Sequence, residues 1–202
     1  MKLIYRDYSY RAVAVSVLIW GVLTGVTAAC LSPDPVLSSL YAARFSARTS
    51  FIILCIILTG TGIKGIRNIL SNAVWKRFFR ILVFTFSINH FIHLAYIGIH
   101  HYYADRILLQ PENIPGTIVY ALIAILPLTV HKTAGFLKQA VFSYLPLLLT
   151  AMVFILTYQR RLTSPTRNLS PSRLYTTFLV IAVLLIILNV YRMIREYSAG
   201  RD

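Results

Sequence analysis

The sequence predicts an all-α membrane protein: a six-transmembrane-helix bundle that forms a single domain over residues 1–202, with both termini cytoplasmic. Hydrophobic residues make up 57% of the 202 residues and charged residues only 13%, whereas a soluble domain is about a quarter charged. The 6 acidic residues are too few to cover the surface of a soluble domain of this size. Lipid is therefore the expected solvent for most of the chain.

Apolar runs of near membrane-crossing length define the elements in order. The predicted spans cover about residues 12–31, 49–63, 79–99, 117–130, 139–158 and 174–191. The first run has a basic start and ends in Thr27-Ala28-Ala29-Cys30, which are also features of a cleaved lipoprotein signal. The length of the run favours a retained helix instead.

Prolines and glycines mark the ends and bends of these spans. Pro33 and Pro35 follow the first span, and Thr-Gly-Thr-Gly at residues 59–62 could thin or bend the second. A basic segment precedes the third span, and a polar loop with two prolines follows it. Pro127 and Pro146 lie inside the fourth and fifth spans, which membrane helices tolerate because neighbouring groups satisfy the freed backbone.

The basic residues determine the predicted orientation. The 20 Lys and Arg give a net charge of +14, but they lie in short gaps between apolar runs. This placement is typical of loops that contact anionic headgroups, so no nucleic-acid partner is expected. The count of basic residues favours cytoplasmic termini, although the fifth loop, predicted outside, disagrees. This loop contains Arg160, Arg161, Arg167 and Arg173. Either one of the spans is predicted wrongly, or the loop binds lipid headgroups.

The third span carries the residues with the most chemistry. His90, His93, His100 and His101 fall on one broad stripe at about 100° per residue. One interpretation is that His90 and His93 hydrogen-bond to neighbouring helices near mid-bilayer, while His100 and His101 lie among the headgroups. The other is metal ligation, with His90 and His93 as candidate ligands of a heme iron.

Other chemistry is not indicated, and no catalytic residue is predicted. The sequence has no glycine-rich phosphate loop and no Cys-x-x-Cys motif. Asp34, Asp105 and Glu112 all lie in predicted outer loops. Because a pump normally needs acidic groups within the membrane, proton or ion transport is disfavoured.

Several short motifs occur in order along the middle of the chain: Arg48-Thr49, Trp75-Lys76-Arg77, Asn89-His90-Phe91-Ile92-His93-Leu94, Gly116 and Tyr120. In this arrangement, over roughly residues 44–161, the sequence resembles the ferric-reductase-like transmembrane family. That family includes the heme-binding membrane subunit of the bacterial methionine sulfoxide reductase system. The resemblance implies six spans, a b-type heme and electron transfer across the membrane.

The fifth span departs from that family. Heme-binding members carry histidines there that face those of the third span, whereas Ala140 and Val153 occupy the corresponding positions here. A bis-histidine heme between the third and fifth spans is therefore not expected. Met152 and His131 are the candidates for a substitute axial ligand. The second third-span histidine of two-heme relatives corresponds to Tyr103 here, so His100 and His101 are candidate cofactor-binding residues only in a shifted register.

The sequence leaves three functional hypotheses open. The first is a diverged ferric-reductase-like protein, at most the heme-containing membrane subunit of an oxidoreductase with a redox partner. The second is a heme-free structural or regulatory partner protein in the membrane. The third is a small-molecule or lipid-handling protein that uses the arginine-rich fifth loop and a pocket near His93. In each case the chain contacts the lipid bilayer, and its short loops favour a bacterial inner membrane.

Overall fold

Helices are the regular elements of the structure, a computed structural model that describes residues 2–105, 114–129, 144–163 and 172–198. Within those residues the helices are α1 (Lys2–Leu31), α2 (Pro35–Lys64), α3 (Ile66–Ser71), α4 (Ala73–Tyr103), α5 (Ile114–Thr129), α6 (Leu145–Thr163) and α7 (Ser172–Ser198). The predicted all-helical class is confirmed for this part of the chain.

Four of the described helices are long and apolar enough to cross a membrane. The stretches in α1, α2, α4 and α7 contain 22, 30, 31 and 26 residues, with mean hydropathy between 1.5 and 2.3. At about 1.5 Å per residue, each exceeds the roughly 30 Å hydrocarbon thickness of a bilayer. The fourth predicted span corresponds to a shorter apolar helix, Gly116–Pro127, and the described part of the fifth to α6.

The second helix begins at Pro35, well before residue 49, the predicted start of its span. Asp34 Oδ1 accepts the backbone N–H of Val36 at 3.0 Å, and Pro35 in the first turn has no N–H to satisfy. The hydropathy pattern does not predict the N-terminal part of this helix, because basic residues interrupt the apolar run there. One of them, Arg44, is nevertheless only 8% exposed.

The fourth helix also extends past both ends of its predicted span, residues 79–99. It covers Ala73–Tyr103. Asn72 Oδ1 accepts the N–H groups of Val74 and Trp75 at 3.0 and 3.1 Å, which caps the first turn. The polar flanks of an apolar run are therefore helical where a side chain satisfies the exposed backbone groups.

The described residues belong to two compact units. The first comprises Met1–Ile53 and Arg80–Pro127, and the second comprises Leu54–Phe79 and Leu128–Asp202. Helices α2 and α4 each contribute one part to either unit. The prediction of a single domain stays a prediction.

In the first unit, α1 and α4 approach closely at two glycines. A Cβ atom on Gly21 would lie 2.9 Å from Ile92 Cδ1, and one on Gly25 would lie 2.5 Å from the Tyr96 hydroxyl oxygen. That hydroxyl donates a hydrogen bond to the carbonyl oxygen of Gly21 at 2.7 Å. Small residues at such contacts let the backbones of membrane helices pack together.

In the second unit, Asn189 of α7 is a hydrogen-bonding hub. It is fully buried. Its Nδ2 donates to the carbonyl oxygen of Leu58 at 2.8 Å, and its Oδ1 accepts from the Thr61 hydroxyl at 2.7 Å. The Tyr144 hydroxyl, just before α6, donates to the same Oδ1. One amide therefore connects α2, α7 and the start of α6.

The end of α7 holds the turn between α2 and α3. Gly65 has a φ of +79° in this turn, a left-handed conformation that favours glycine. The buried Glu196 carboxylate accepts the N–H of Arg67 at 3.4 Å. Arg192 donates to the carbonyl oxygen of Lys64 at 3.1 Å and lies 3.7 Å from Glu196. These contacts satisfy a carbonyl group at the end of α2 and an N–H group in the first turn of α3.

Candidate functional site

Helix α4 carries the four predicted site histidines, and the structure places them in different surroundings. His90 is buried, whereas His93, His100 and His101 are half-buried. His93 and His100 bond to α2, and His90 packs against α5. All of these contacts lie within the first unit.

Hydrogen-bonded pairs connect α2 to α4 through serines on one side and histidines or an asparagine on the other. The pairs are Ser39 with His100, Ser46 with His93, and Ser50 with Asn89. We call these six residues the polar seam. Along both helices the seam residues are spaced seven and four apart, in opposite chain directions. The two helices therefore run antiparallel here and present one constant face to each other.

The pair nearest the start of α2 fixes one ring nitrogen of His100. Nδ1 of His100 lies 3.3 Å from Ser39 Oγ and 3.2 Å from the carbonyl oxygen of Val36. A carbonyl oxygen only accepts, so Nδ1 carries the proton in this contact. His100 therefore donates to the first turns of α2.

The middle pair joins Ser46 of α2 to His93 of α4. Ser46 Oγ, which is buried, donates to the carbonyl oxygen of Ala42 at 2.9 Å or of Ala43 at 3.0 Å. It lies 3.2 Å from His93 Nδ1. The contact joins the two side chains whichever of these two atoms carries the proton.

The third pair is the most deeply buried part of the seam. Asn89 is 1% exposed and Ser50 is fully buried. Asn89 Nδ2 donates to the carbonyl oxygen of Ser46 at 3.0 Å and to Ser50 Oγ at 2.8 Å. Interhelical polar contacts of this kind stabilise membrane helix pairs by about 0.6–2 kcal/mol each.

His90 lies outside the seam and packs among aromatic rings. Its ring centroid is 4.7 Å from that of Tyr120, 5.3 Å from that of Phe86 and 5.6 Å from that of His93. Its exposed fraction is 6%. The structure brings His90 and His93 side by side, as their spacing on the helix requires.

His101 and Met152 are not brought into the seam. The ring of His101 lies 6.1 Å from that of His100, at the end of α4 where Tyr102 is 82% exposed. Met152 belongs to the second unit, on α6, and half of its surface is exposed. Val153 beside it is half-buried. Ala140 and His131 lie outside the described residues.

The donor set of the first unit does not fit a heme with two axial ligands. Such ligands must come from facing elements, but in the described residues of this unit every His and Met lies on α4. Cys30 of α1 is exposed. The described residues also hold no cluster of three His, Cys, Asp or Glu suited to a metal. A hydrogen bond to the second ring nitrogen commonly orients a metal-bound histidine, and Ser46 makes such a contact with His93. This contact orients one candidate ligand but supplies no second axial ligand.

The serines are the residues of the polar seam that the sequence prediction missed. Serine in an apolar helix is common and carries no periodic hydropathy signal. The usable signal is the shared spacing, since Ser39, Ser46 and Ser50 repeat the intervals of His100, His93 and Asn89 in reverse. One interpretation of the sequence has His90 and His93 bonding to neighbouring helices and His100 among the headgroups. In the structure His93 contacts Ser46, His90 packs against Tyr120, and His100 contacts Ser39 of α2.

Comparisons with known proteins identify no relative. No family model matches this chain, no curated protein matches it, and no solved structure matches it. The resemblance to the ferric-reductase-like family stays a prediction, and functional inference starts from the polar seam.

Proposed function

We propose that the chain is a heme-free, six-span integral membrane protein that serves as a structural or regulatory partner of other membrane proteins. The observation that supports this role is the polar seam. Its imidazole and amide groups bond to the neighbouring helix α2. His93 and His100 both make this interhelical contact through Nδ1.

The energetics of polar groups in lipid support the same proposal. A buried polar side chain without a hydrogen bond costs roughly 1–3 kcal/mol, so bundles that keep such groups usually satisfy them internally. Asn89 and His93 both meet Ser46, which makes that serine the centre of the seam. We infer that the seam sets the rotation and axial position of α2 against α4, which is a structural task.

The outward faces of the long helices support a membrane location. In α7 only 11% of the apolar window is buried within the structure. Leu184 and Ile187 on that helix are 60% and 59% exposed, and Val22 on α1 is 65% exposed. Aliphatic surface of this extent is suited to acyl chains or to the helices of a partner protein.

Absorption spectroscopy tests the heme-free role. The protein is expressed with ample heme and purified, and its oxidised and reduced spectra are recorded. We expect no Soret band in the wild type. A Soret band that shifts on reduction and is lost in His93→Ala or His90→Ala would overturn the proposal and restore the electron-transfer hypothesis.

Two further measurements test the topology and the partner role. Reporter fusions at the C-terminus should be active only in the cytoplasm, and periplasmic activity would contradict six spans with both termini inside. Native electrophoresis of membranes extracted in mild detergent should show the 22.9 kDa chain in a discrete larger complex. Migration as a single chain in its micelle would rule out a stable partner.

A further inference from the structure

The start of α7 carries an open groove with a volume of about 510 Å³. The side chains lining it are Arg173, Thr176, Thr177, Val180 and Ile181. Their intervals of three, one, three and one residues place them on one stripe of a helix. The groove is therefore polar at the beginning of α7 and apolar one to two turns further on.

The electrostatics of this end of the second unit favour an anion. Arg173 lies in the groove, and Arg160 and Arg161 lie in the last turn of α6. Arg161 Nη1 donates to the Tyr175 hydroxyl at 3.2 Å, which keeps the end of α6 beside the start of α7. No acidic residue lies in the first turn of α7, and the described residues of α6 contain none.

We propose that this groove binds one anionic phospholipid, with the phosphate at Arg173 and an acyl chain along Val180 and Ile181. The guanidinium can hold a phosphate through paired N–H donors. Arg173 and Ile181 are eight residues apart, about 12 Å along the helix axis. Over that distance a bound lipid extends from its headgroup to its acyl chains.

The apolar floor of the groove identifies a lipid rather than a free phosphate. Val180 is 51% exposed and Ile181 is 37% exposed, surface that a phosphate ion would leave uncovered. The lipid site rests on the part of the proposed function that places α7 in a membrane. Arg173 also belongs to the fifth loop, the one predicted outer loop that is strongly basic.

Native mass spectrometry of the full chain tests the lipid site. The protein is purified in detergent, delipidated and titrated with phosphatidylglycerol or with phosphatidylcholine. We expect one phosphatidylglycerol per chain at concentrations that leave phosphatidylcholine unbound. Arg173→Gln should lower the retained fraction about tenfold, the usual effect of losing one charge-assisted contact. Glycerol phosphate should not compete, because it lacks the chain that covers Val180.

Arg195→Gln is the matched control. It removes the same charge from an exposed position in the last turn of the same helix, and it should leave lipid retention unchanged. Val180→Trp fills the apolar part of the groove without changing charge, and it should reduce retention as Arg173→Gln does. Circular dichroism confirms that each variant keeps its helices.

Wild-type retention in Arg173→Gln or in Val180→Trp would overturn the lipid site. So would an equal loss in Arg195→Gln, which would indicate nonspecific charge attraction. Heme content is read separately from the Soret band, so failure of the heme-free role and failure of the lipid site are distinguishable.

Discussion

Ser46 Oγ lies 3.2 Å from His93 Nδ1, although 47 positions separate the two residues in the chain. The serine hydroxyl also lies 2.9 Å from a carbonyl oxygen of its own helix, that of Ala42. A similar contact lies seven residues later on α4 and seven residues earlier on α2, where His100 meets Ser39. This repetition shows that two long helices are aligned by polar pairs.

The Ser46–His93 pair should show energetic coupling. Ser46→Ala and His93→Ala should each destabilise the protein, and the double variant should be less destabilised than their sum by about 0.6–2 kcal/mol. Unfolding in mixed detergent micelles measures each free energy. Strictly additive effects would mean that the pair does not contribute to the packing of α2 on α4.

Removing the hub of the second unit should be costly. Asn189→Ala leaves the Leu58 carbonyl and the hydroxyls of Thr61 and Tyr144 without their shared partner. We expect a loss of about 2–4 kcal/mol in unfolding free energy. Val190→Ala, on the adjacent and more exposed position, should cost less than about 1 kcal/mol. Equal effects of the two substitutions would contradict the hub.

The turn at Gly65 should not accept a side chain. Its φ is +79°, and an added Cβ would collide with the Glu196 carboxylate. Gly65→Ala should therefore cost about 1–3 kcal/mol. Gly60→Ala is the control, because a Cβ there meets nothing within 4 Å, and in a helix it should be neutral or stabilise by up to about 1 kcal/mol. Thermal unfolding distinguishes them, and equal midpoints would refute the assigned turn.

The contact of α1 with α4 should depend on a small residue at position 21. Gly21→Leu would push against Ile92 and break the hydrogen bond that Tyr96 donates to the Gly21 carbonyl. Overpacking of this kind costs about 1–3 kcal/mol. Gly98→Leu, where a Cβ has no neighbour within 4 Å, should change the unfolding free energy little. A larger effect at Gly98 than at Gly21 would place the helix contact elsewhere.

The long apolar helices are the features that the sequence predicts best. The first span, predicted from residue 12 to 31, agrees with the apolar stretch Tyr10–Leu31. Hydropathy marks the residues that suit lipid, and in α1 those residues end where the helix ends. Helices α2 and α4 begin earlier, at polar segments that Asp34 and Asn72 cap. The hydropathy pattern therefore predicts only the C-terminal half of α2 and the middle of α4.

The candidate site could be predicted only in part. Clustered histidines in an apolar helix indicate polar contacts, and His93 and His100 make them. Which helix accepts these contacts depends on how α2 is rotated about its axis. Hydropathy gives little information on that rotation, because Ser39 and Ser46 interrupt the apolar pattern only weakly. Asn189 was missed for a related reason, since one amide barely alters the mean hydropathy of α7.

The glutamate that secures the Gly65 turn has a consequence for biosynthesis. Glu196 and Arg67 are 129 positions apart, so the ribosome makes the turn long before it makes the carboxylate. Until α7 is inserted, the backbone groups around Gly65 depend on water or headgroups. The nascent protein therefore completes this corner only after α7 has been synthesised and inserted.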